Sequence, residues 1–469
     1  MSKKIDFVKL TLIFILILAA VLRFYKLPEY LQFLGDQGRD LLVVKQMIVD
    51  HKFTLLGPTA SVGGFYTGPI YYYFMLPFLA LWQLDPVGSA VMAVLFGLAT
   101  IVLMYFFVRD LAGEKAGLIS AFLVAVSPKM IDLSRFSWNP NPVPFFSLAA
   151  VYSLYKKKVF FAGIFVGILV QLHYIDLVMC VVIGLLSLTM FKPRDWLKNI
   201  LLLAGGFLLG NSLFLLFELR HGFPNTKSVI EFIFRGGQTV APRTMNFPEL
   251  FIEIYRRTFE GAFQVFNNLT FNIIIYISLF IFLWQRKWPL IIWLIIGSLG
   301  LGFYRGTLYE HYFNFLYPLP FIILGIVLSK RLFFIPLVLF FLYLSVIKWY
   351  IWGAPNNLIE QTKVVDRAVM EMLGGEDFNF ALITPGNSDH AYRYFLELAG
   401  KKPKVIYNPD IDPQRNSVAN QLIVVCEGSC EPLGSPLWEV AGFGRAEIAD
   451  SKQVPVGITV YKLVHYKGE

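Results

Sequence analysis

Charge is what this sequence has least of. Only 16% of its 469 residues are Asp, Glu, Lys or Arg, while 56% are hydrophobic; soluble domains carry about 25% charged residues. That balance, a mean hydropathy of +0.60 and 45 Phe residues exclude an ordinary soluble domain and indicate an integral membrane protein. Cysteine is nearly absent. Three in all are too few for a disulfide framework, and zinc would need a second ligand pair. Cys426 and Cys430, in "CEGSC", leave two readings open: a small disulfide loop or two thiols. A phosphate-binding glycine fingerprint is also missing, which argues against a nucleotide role. The net charge of +9 comes without a basic nucleic-acid recognition motif, so basic loops against anionic lipid account for it and nucleic acid is not an expected partner. The N-terminal run "MSKKIDFVKLTLIFILILAAVLRFY" has basic residues before an apolar core but no small-residue cleavage site, and reads as a retained anchor.

What is there is a series of apolar runs. Spans are expected near residues 7–24, 87–108, 115–130, 142–156, 159–173, 174–191, 199–217, 269–285, 288–303, 313–329 and 332–350, about eleven in all. The run "GPIYYYFMLPFLALWQL" (68–84) is apolar enough to be another. If it does not cross, the basic clusters "SKK", "KKK" (156–158), "KPRDWLK" (192–198), "QRK" (285–287) and "SKR" (329–331) all fall on the cytoplasmic side. It is therefore read as a re-entrant or surface-lying helix. The expected fold is a polytopic α-helical membrane module, residues 1–354, with a C-terminal α/β domain, 355–469, outside the cell. In that domain "NFALITPGNSDHAYRYFLELAGKKPKVIY" reads as strand, loop, helix, strand, and "QLIVVCE" and "VGITVYKLVHY" as further strands.

This topology isolates four outer segments, 25–86, 127–142, 218–268 and 303–318, which hold most of the unusual polar chemistry. In "FLGDQGRD", Asp36 is a candidate general base, oriented by Arg39 and a second carboxylate, Asp40; an ion pair at headgroup level is the bland alternative. The following "DLLVVKQMIVDHK" forms a modest amphipathic helix suited to the membrane interface. Tyr66 and Tyr72, in "GGFYTGPIYYYF", offer hydroxyls and sugar-stacking faces, or an interfacial aromatic belt. Arg135, Trp138, Asn139 and Asn141 read as polar cavity lining or as a capped loop. His173 marks a turn between spans. Arg256 and Arg257 suit a phosphate or pyrophosphate head group. Arg305, Glu310, His311 and Tyr312 precede a span; as neighbours, Glu310 and His311 point in different directions and make a poor dyad.

The order of these motifs resembles the GT-C superfamily of membrane glycosyltransferases, near the protein O-mannosyltransferases and the lipid A aminoarabinose transferases. "DQGRD" is similar to an Asp-Glu-x-Arg element at Asp36 and Arg39, with Gln37 in place of the second acid. "GPIYYYF" resembles a Pro-Pro-Leu-x-Tyr-Trp element through Pro69 and Tyr72, with Gly68 replacing the first proline. Arg135 matches, but Asn139 or Asn141 stands at an acidic position. "EHYFNFLYPLP" is similar through His311, Tyr312, Pro318 and Pro320. The resemblance covers about residues 1–350. It implies a polyprenyl-phosphate-linked sugar donor and a protein, lipid or glycan acceptor, used at the outer face of the plasma membrane with inversion. Asp36 would be the base, and Arg256, Arg257 and Arg305 would stabilise the leaving phosphate. No cofactor is implied; a divalent ion on Asp36 and Asp40 is the less favoured variant. A transporter or flippase would predict charges deep in several spans and internal repeats; a surface-polysaccharide polymerase or ligase differs mainly in loop layout.

Overall fold

The computed structural model describes residues 7–60, 64–235, 245–284, 287–304, 306–330, 339–343, 346, 358–455, 457–466 and 468. The chain divides into two compact units: Met1–Leu27 with Asp50–Gly353, and Pro28–Val49 with Ala354–Glu469. Residues 28–49, part of the first outer segment, thus group with the C-terminal residues and not with the helical unit.

The first unit is helical. Among the described residues, Phe7–Phe24 and Val87–Ala112 are long and apolar enough to cross a membrane. Seven further apolar helices have 10–17 residues, so helix length alone does not support a count of about eleven spans. The expected single span 199–217 is instead a pair, Pro193–Gly210 and Ser212–His221, bent by 80°. The run 68–84 forms the short helix Ile70–Leu81, which contains Pro77. Glycine at four-residue spacing sets the tightest helix contact. Gly163 and Gly167 on Val159–Leu172 face Gly206 and Gly210 on Trp196–Gly210, and a Cβ at any of the four would collide with backbone of the opposite helix. Small residues at this spacing let helix backbones approach where no hydrophobic drive between helices exists.

The loop 127–142 is anchored from several directions. Buried Arg23 donates to the carbonyls of Ala125 (2.9 Å) and Val124 (3.2 Å). Arg135, 1% exposed, donates to the carbonyls of Leu22, Arg23 and Tyr25 at 3.2, 2.8 and 2.7 Å. Ser127 caps Pro128–Asp132 by accepting from the Met130 amide, and donates to the Ala262 carbonyl at 2.6 Å. Asn314 Nδ2 donates to the Pro140 carbonyl at 2.8 Å. Three of the four expected outer segments therefore meet in this unit.

The second unit is built on a four-stranded sheet, order β1-β2-β4-β3, of Asn379–Ile383, Gln421–Glu427, Ala446–Val454 and Ile458–His465. β1 pairs with β2 in parallel; β4 is antiparallel to β2 and β3. The expected strand "KVIY" is absent apart from one bridge, Asn379 to Lys404. The helix Ile359–Leu373 buries Val365, Val369 and Leu373 against one sheet face. Cys426 and Cys430 form a disulfide. The helix Gly35–Val49 packs on His390–Leu398. Its Leu41, Val44 and Met47 are buried, so the amphipathic face expected to lie in lipid serves protein packing. Gly35 and Gly38 make the approach possible: a Cβ at Gly38 would overlap the backbone of His390 and Ala391, and one at Gly35 would overlap Ser388.

Candidate functional site

In the first unit, a cavity of about 170 Å³ is lined by Glu253, Arg256, Arg257, Gly261, Gln264, Phe266, Glu310 and Tyr317. The helix Phe247–Tyr255 begins with a capping box on Asn246 and Glu249 and runs into a π-helical turn, Arg256–Glu260. Such turns widen the helix and recur at functional sites. Here the turn begins with two consecutive arginines. Arg256 is ion-paired to Glu253 (3.4 Å) and Glu260 (3.5 Å), and Arg257 Nε to Glu253 (2.5 Å). Glu260, 2% exposed in its side chain, is itself held by Asn272 Nδ2 at 2.6 Å. The carboxylates thus fix the guanidinium groups, each of which keeps further N–H donors for an incoming oxyanion.

Opposite charge arrives from the other two segments. Lys129 Nζ donates to Glu310 Oε2 at 2.8 Å. The Lys129 ammonium, foremost, holds the Glu310 carboxyl below its usual range. Burial opposes the charge of Lys129, but Tyr317, Asp132 and Glu310 outweigh it and raise the pKa. Lys129 had no place among the expected site residues. Its signal was a lysine beside a proline in "SPKMID", which becomes meaningful once Glu310 is known to lie against it.

His311 turns the other way, as expected for a neighbour of Glu310. Its ring sits 4.6 Å from Trp138, 5.0 Å from His173 and 4.7 Å from Tyr312, centroid to centroid. Burial, then the Lys129 charge, lowers the His311 pKa to about 4, so the imidazole is neutral at pH 7. Tyr312 and Tyr174 share a 2.5 Å hydroxyl contact, and Tyr304 packs on Tyr312. His173, Tyr312 and His311 are brought together as an aromatic polar cluster.

Other expected residues are used differently. Arg135 spends its guanidinium on backbone carbonyls at the end of the first helix, and Asn139 Nδ2 donates to the Leu172 carbonyl at 2.6 Å. Both hold the loop, which favours the capped-loop alternative. Tyr72 is buried at 2% exposure, whereas Tyr66 is exposed, with its amide held by Asn225. Arg305 lies outside the described residues.

Asp36, Arg39 and Asp40 belong to the second unit. Arg39 Nη1 bonds Asp36 Oδ1 and Arg39 Nε bonds Asp40 Oδ1, both at 2.8 Å. The Asp40 side chain is 1% exposed and that of Asp36 49%; of the two, Asp36 is the one a substrate could reach. The Gly35 amide donates to Asn387 Oδ1 at 2.9 Å, which fixes the start of the helix. His390, unnoticed in the sequence, stands within electrostatic reach of this trio. Burial is the leading cause of its lowered pKa, with Asp389 opposing and Arg393 and Arg39 assisting.

No family model and no curated protein matches the chain in sequence. Solved structures do. ArnT from Cupriavidus metallidurans, in a crystal structure with undecaprenyl phosphate bound, aligns over 96% of this chain and 97% of its own at a TM-score of 0.66 and 13% identity. The chain has the fold of that protein. Two other proteins of that fold are also similar. AglB, the Archaeoglobus fulgidus oligosaccharyltransferase determined with an inhibitory peptide and a dolichol-phosphate, matches over 89% of this chain and 69% of its own, with a TM-score of 0.53 and 13% identity. The mycobacterial arabinofuranosyltransferase AftD matches over 98% of this chain but 40% of its own, with a TM-score of 0.54 and 13% identity. Among the described residues, the helices long and apolar enough to cross a membrane are Phe7–Phe24 and Val87–Ala112.

Proposed function

We propose that the protein is a glycosyltransferase that moves a sugar from a polyprenyl-phosphate donor to an acceptor hydroxyl at the outer face of the plasma membrane. The observation that carries this is the cavity where Arg256 and Arg257 are held by carboxylates beside the Lys129–Glu310 pair, in a fold of which one solved member binds undecaprenyl phosphate. The acceptor oxygen attacks the anomeric carbon as the bond from that carbon to the phosphate oxygen breaks. The bonding electrons leave with the lipid phosphate, whose charge Arg256, Arg257 and Lys129 stabilise. Asp36 takes the acceptor proton, with Arg39 orienting it. Attack from the face opposite the leaving group inverts the anomeric configuration. The positive-inside pattern supports a cytoplasmic N-terminus and an extracytoplasmic C-terminal unit, and the Cys426–Cys430 disulfide supports an oxidising compartment for that unit.

The test is release of lipid phosphate from polyprenyl-phosphate sugars by the purified protein. Arg257→Ala is expected to weaken binding of the lipid phosphate about tenfold or more, the loss of a charge-assisted hydrogen-bond set. Asp36→Asn is expected to abolish turnover while leaving lipid-phosphate binding intact; full turnover in that variant would rule out its role as base. Because Arg39 is ion-paired to both Asp36 and Asp40, the reaction is expected to run in EDTA. Activity lost in EDTA and restored by a divalent ion would count against this form of the mechanism.

A further inference from the structure

The second unit has a cavity of its own, about 350 Å³, lined by residues of that unit alone. Its polar side chains are Gln361, Thr362, Asn387, Tyr392 and Glu427, and Phe33 supplies an apolar wall. Gly428 and Gly457, both at positive φ (107° and 76°), are exposed at its edge. A glycine at such an angle leaves the opening clear, and a side chain there would be strained.

The chemistry of the lining is selective. Among the described residues, no Lys, Arg or His lines the cavity, so none of them would compensate a phosphate, sulfate or carboxylate. The Glu427 carboxylate accepts from Thr384 Oγ1 at 2.7 Å, Asn387 Nδ2 at 3.1 Å and Tyr392 OH at 2.8 Å. Three of its roughly four lone-pair sites are therefore taken by neutral donors, which leaves too little for a metal ion. The Gln361 and Thr362 backbone amides donate to the Leu358 carbonyl, whereas the Gln361 side-chain amide and the Thr362 hydroxyl have no hydrogen-bond partner among the described residues. One turn along the same helix from Thr362 is Asp366, 5% exposed, whose two carboxylate oxygens have no hydrogen-bond partner among the described residues. Burial pushes the Asp366 carboxyl well above its usual range. A ligand that suits this lining has several hydroxyls able both to give and to accept hydrogen bonds, no negative charge, and one apolar face. The volume is at the lower end of the range for small-molecule sites, roughly 300–1,000 Å³, enough for one or two monosaccharide rings.

We propose that this cavity is a binding site for an uncharged saccharide, separate from the arginine-lined cavity of the first unit. That the saccharide belongs to the acceptor rests on the transferase reading above; the binding itself does not. The experiment uses the full-length protein in detergent and a panel of methyl glycosides and disaccharides of gluco, manno, galacto and arabino configuration. Binding is followed by saturation-transfer NMR and titration calorimetry. At least one saccharide is expected to bind, and Glu427→Ala and Gln361→Ala are each expected to weaken it fivefold or more. Thr362→Val keeps the shape and removes one hydroxyl; it is expected to weaken binding with an unchanged melting temperature, so a folding defect in Glu427→Ala would not obscure the result. The same glycosides carrying a phosphate are expected not to bind here. Failure of every saccharide to bind, or equal affinity in all three variants, would overturn the proposal. Saccharide binding that persists in a protein releasing no lipid phosphate would support this site and sink the transferase reading instead.

Discussion

Glu310 and His311 are adjacent in sequence and occupy opposite electrical situations. Glu310 is half of an ion pair with Lys129, whereas His311 is a neutral ring among Trp138, His173 and Tyr312. The difference is measurable. An unfolded His311 takes up its proton near pH 6.5 but the folded one near 4. Between those values the unfolded chain binds more protons, so stability is complete above pH 6.5 and falls as pH drops. The loss approaches about 3 kcal/mol at the acid end. His311→Phe is expected to remove this part of the acid sensitivity, read as melting temperature against pH from 7 to 4. Glu310 loses its pairing only at lower pH, in the carboxylate range, which separates the two contributions. A profile unchanged in the variant would show that His311 is not the group responsible.

Helices and strands were legible in proportion to how plainly their burial is written in residue type. "NFALI", "QLIVV" and "ITVYKLVH" are apolar or alternate, and became β1, β2 and β4. β3, "AEIADSKQV", is an exposed edge strand with few buried positions, so neither alternation nor an apolar run marked it. The segment after Asp40 was harder. Its amphipathic pattern is real, but periodicity says that a face is buried and not what buries it. Only the glycines hinted at a protein partner, since Gly35 and Gly38 at one-turn spacing permit close backbone approach. Gly38→Ala tests the contact: the added methyl meets the backbone of His390 and Ala391, which cannot swing aside. The expected cost is about 1–3 kcal/mol or more, seen as a lower melting temperature and as proteolysis within 28–49. A variant that melts with the wild type would refute this packing. The arginine pair was legible from residue type alone, but in 127–142 it is Lys129, not singled out in the sequence, that pairs with Glu310, while Arg135 is spent on backbone carbonyls. Which cation reaches a cavity and which caps a helix depends on contacts a hundred residues away.

At the scale of the whole molecule, the two units share a chain that crosses between them at Leu27–Pro28, Val49–Asp50 and Gly353–Ala354. Ending the chain at Gly353 would leave Leu41, Val44 and Met47 without the helix His390–Leu398, each exposing a side chain whose burial is worth about 1.5–3 kcal/mol. Such a shortened protein is expected to insert in the membrane, lose transfer activity and be cut by protease between residues 28 and 49. Retained transfer would mean that the helix Gly35–Val49 stands without its partner.

The same connectivity sets a timetable. In order of synthesis the helix that carries Asp36 precedes the helices from Val87 onward, and the helix it packs with, His390–Leu398, follows them. At the usual elongation rate of about 5–20 residues per second, the intervening chain takes roughly 15–60 s to synthesise. Throughout that interval an amphipathic helix waits for a partner that does not yet exist, while span after span is threaded into the bilayer. The carboxylate proposed as base acquires its fixed setting only when the C-terminal unit closes around it. A nascent chain would thus be inserted well before it could react, and its activity would date from the completion of that unit.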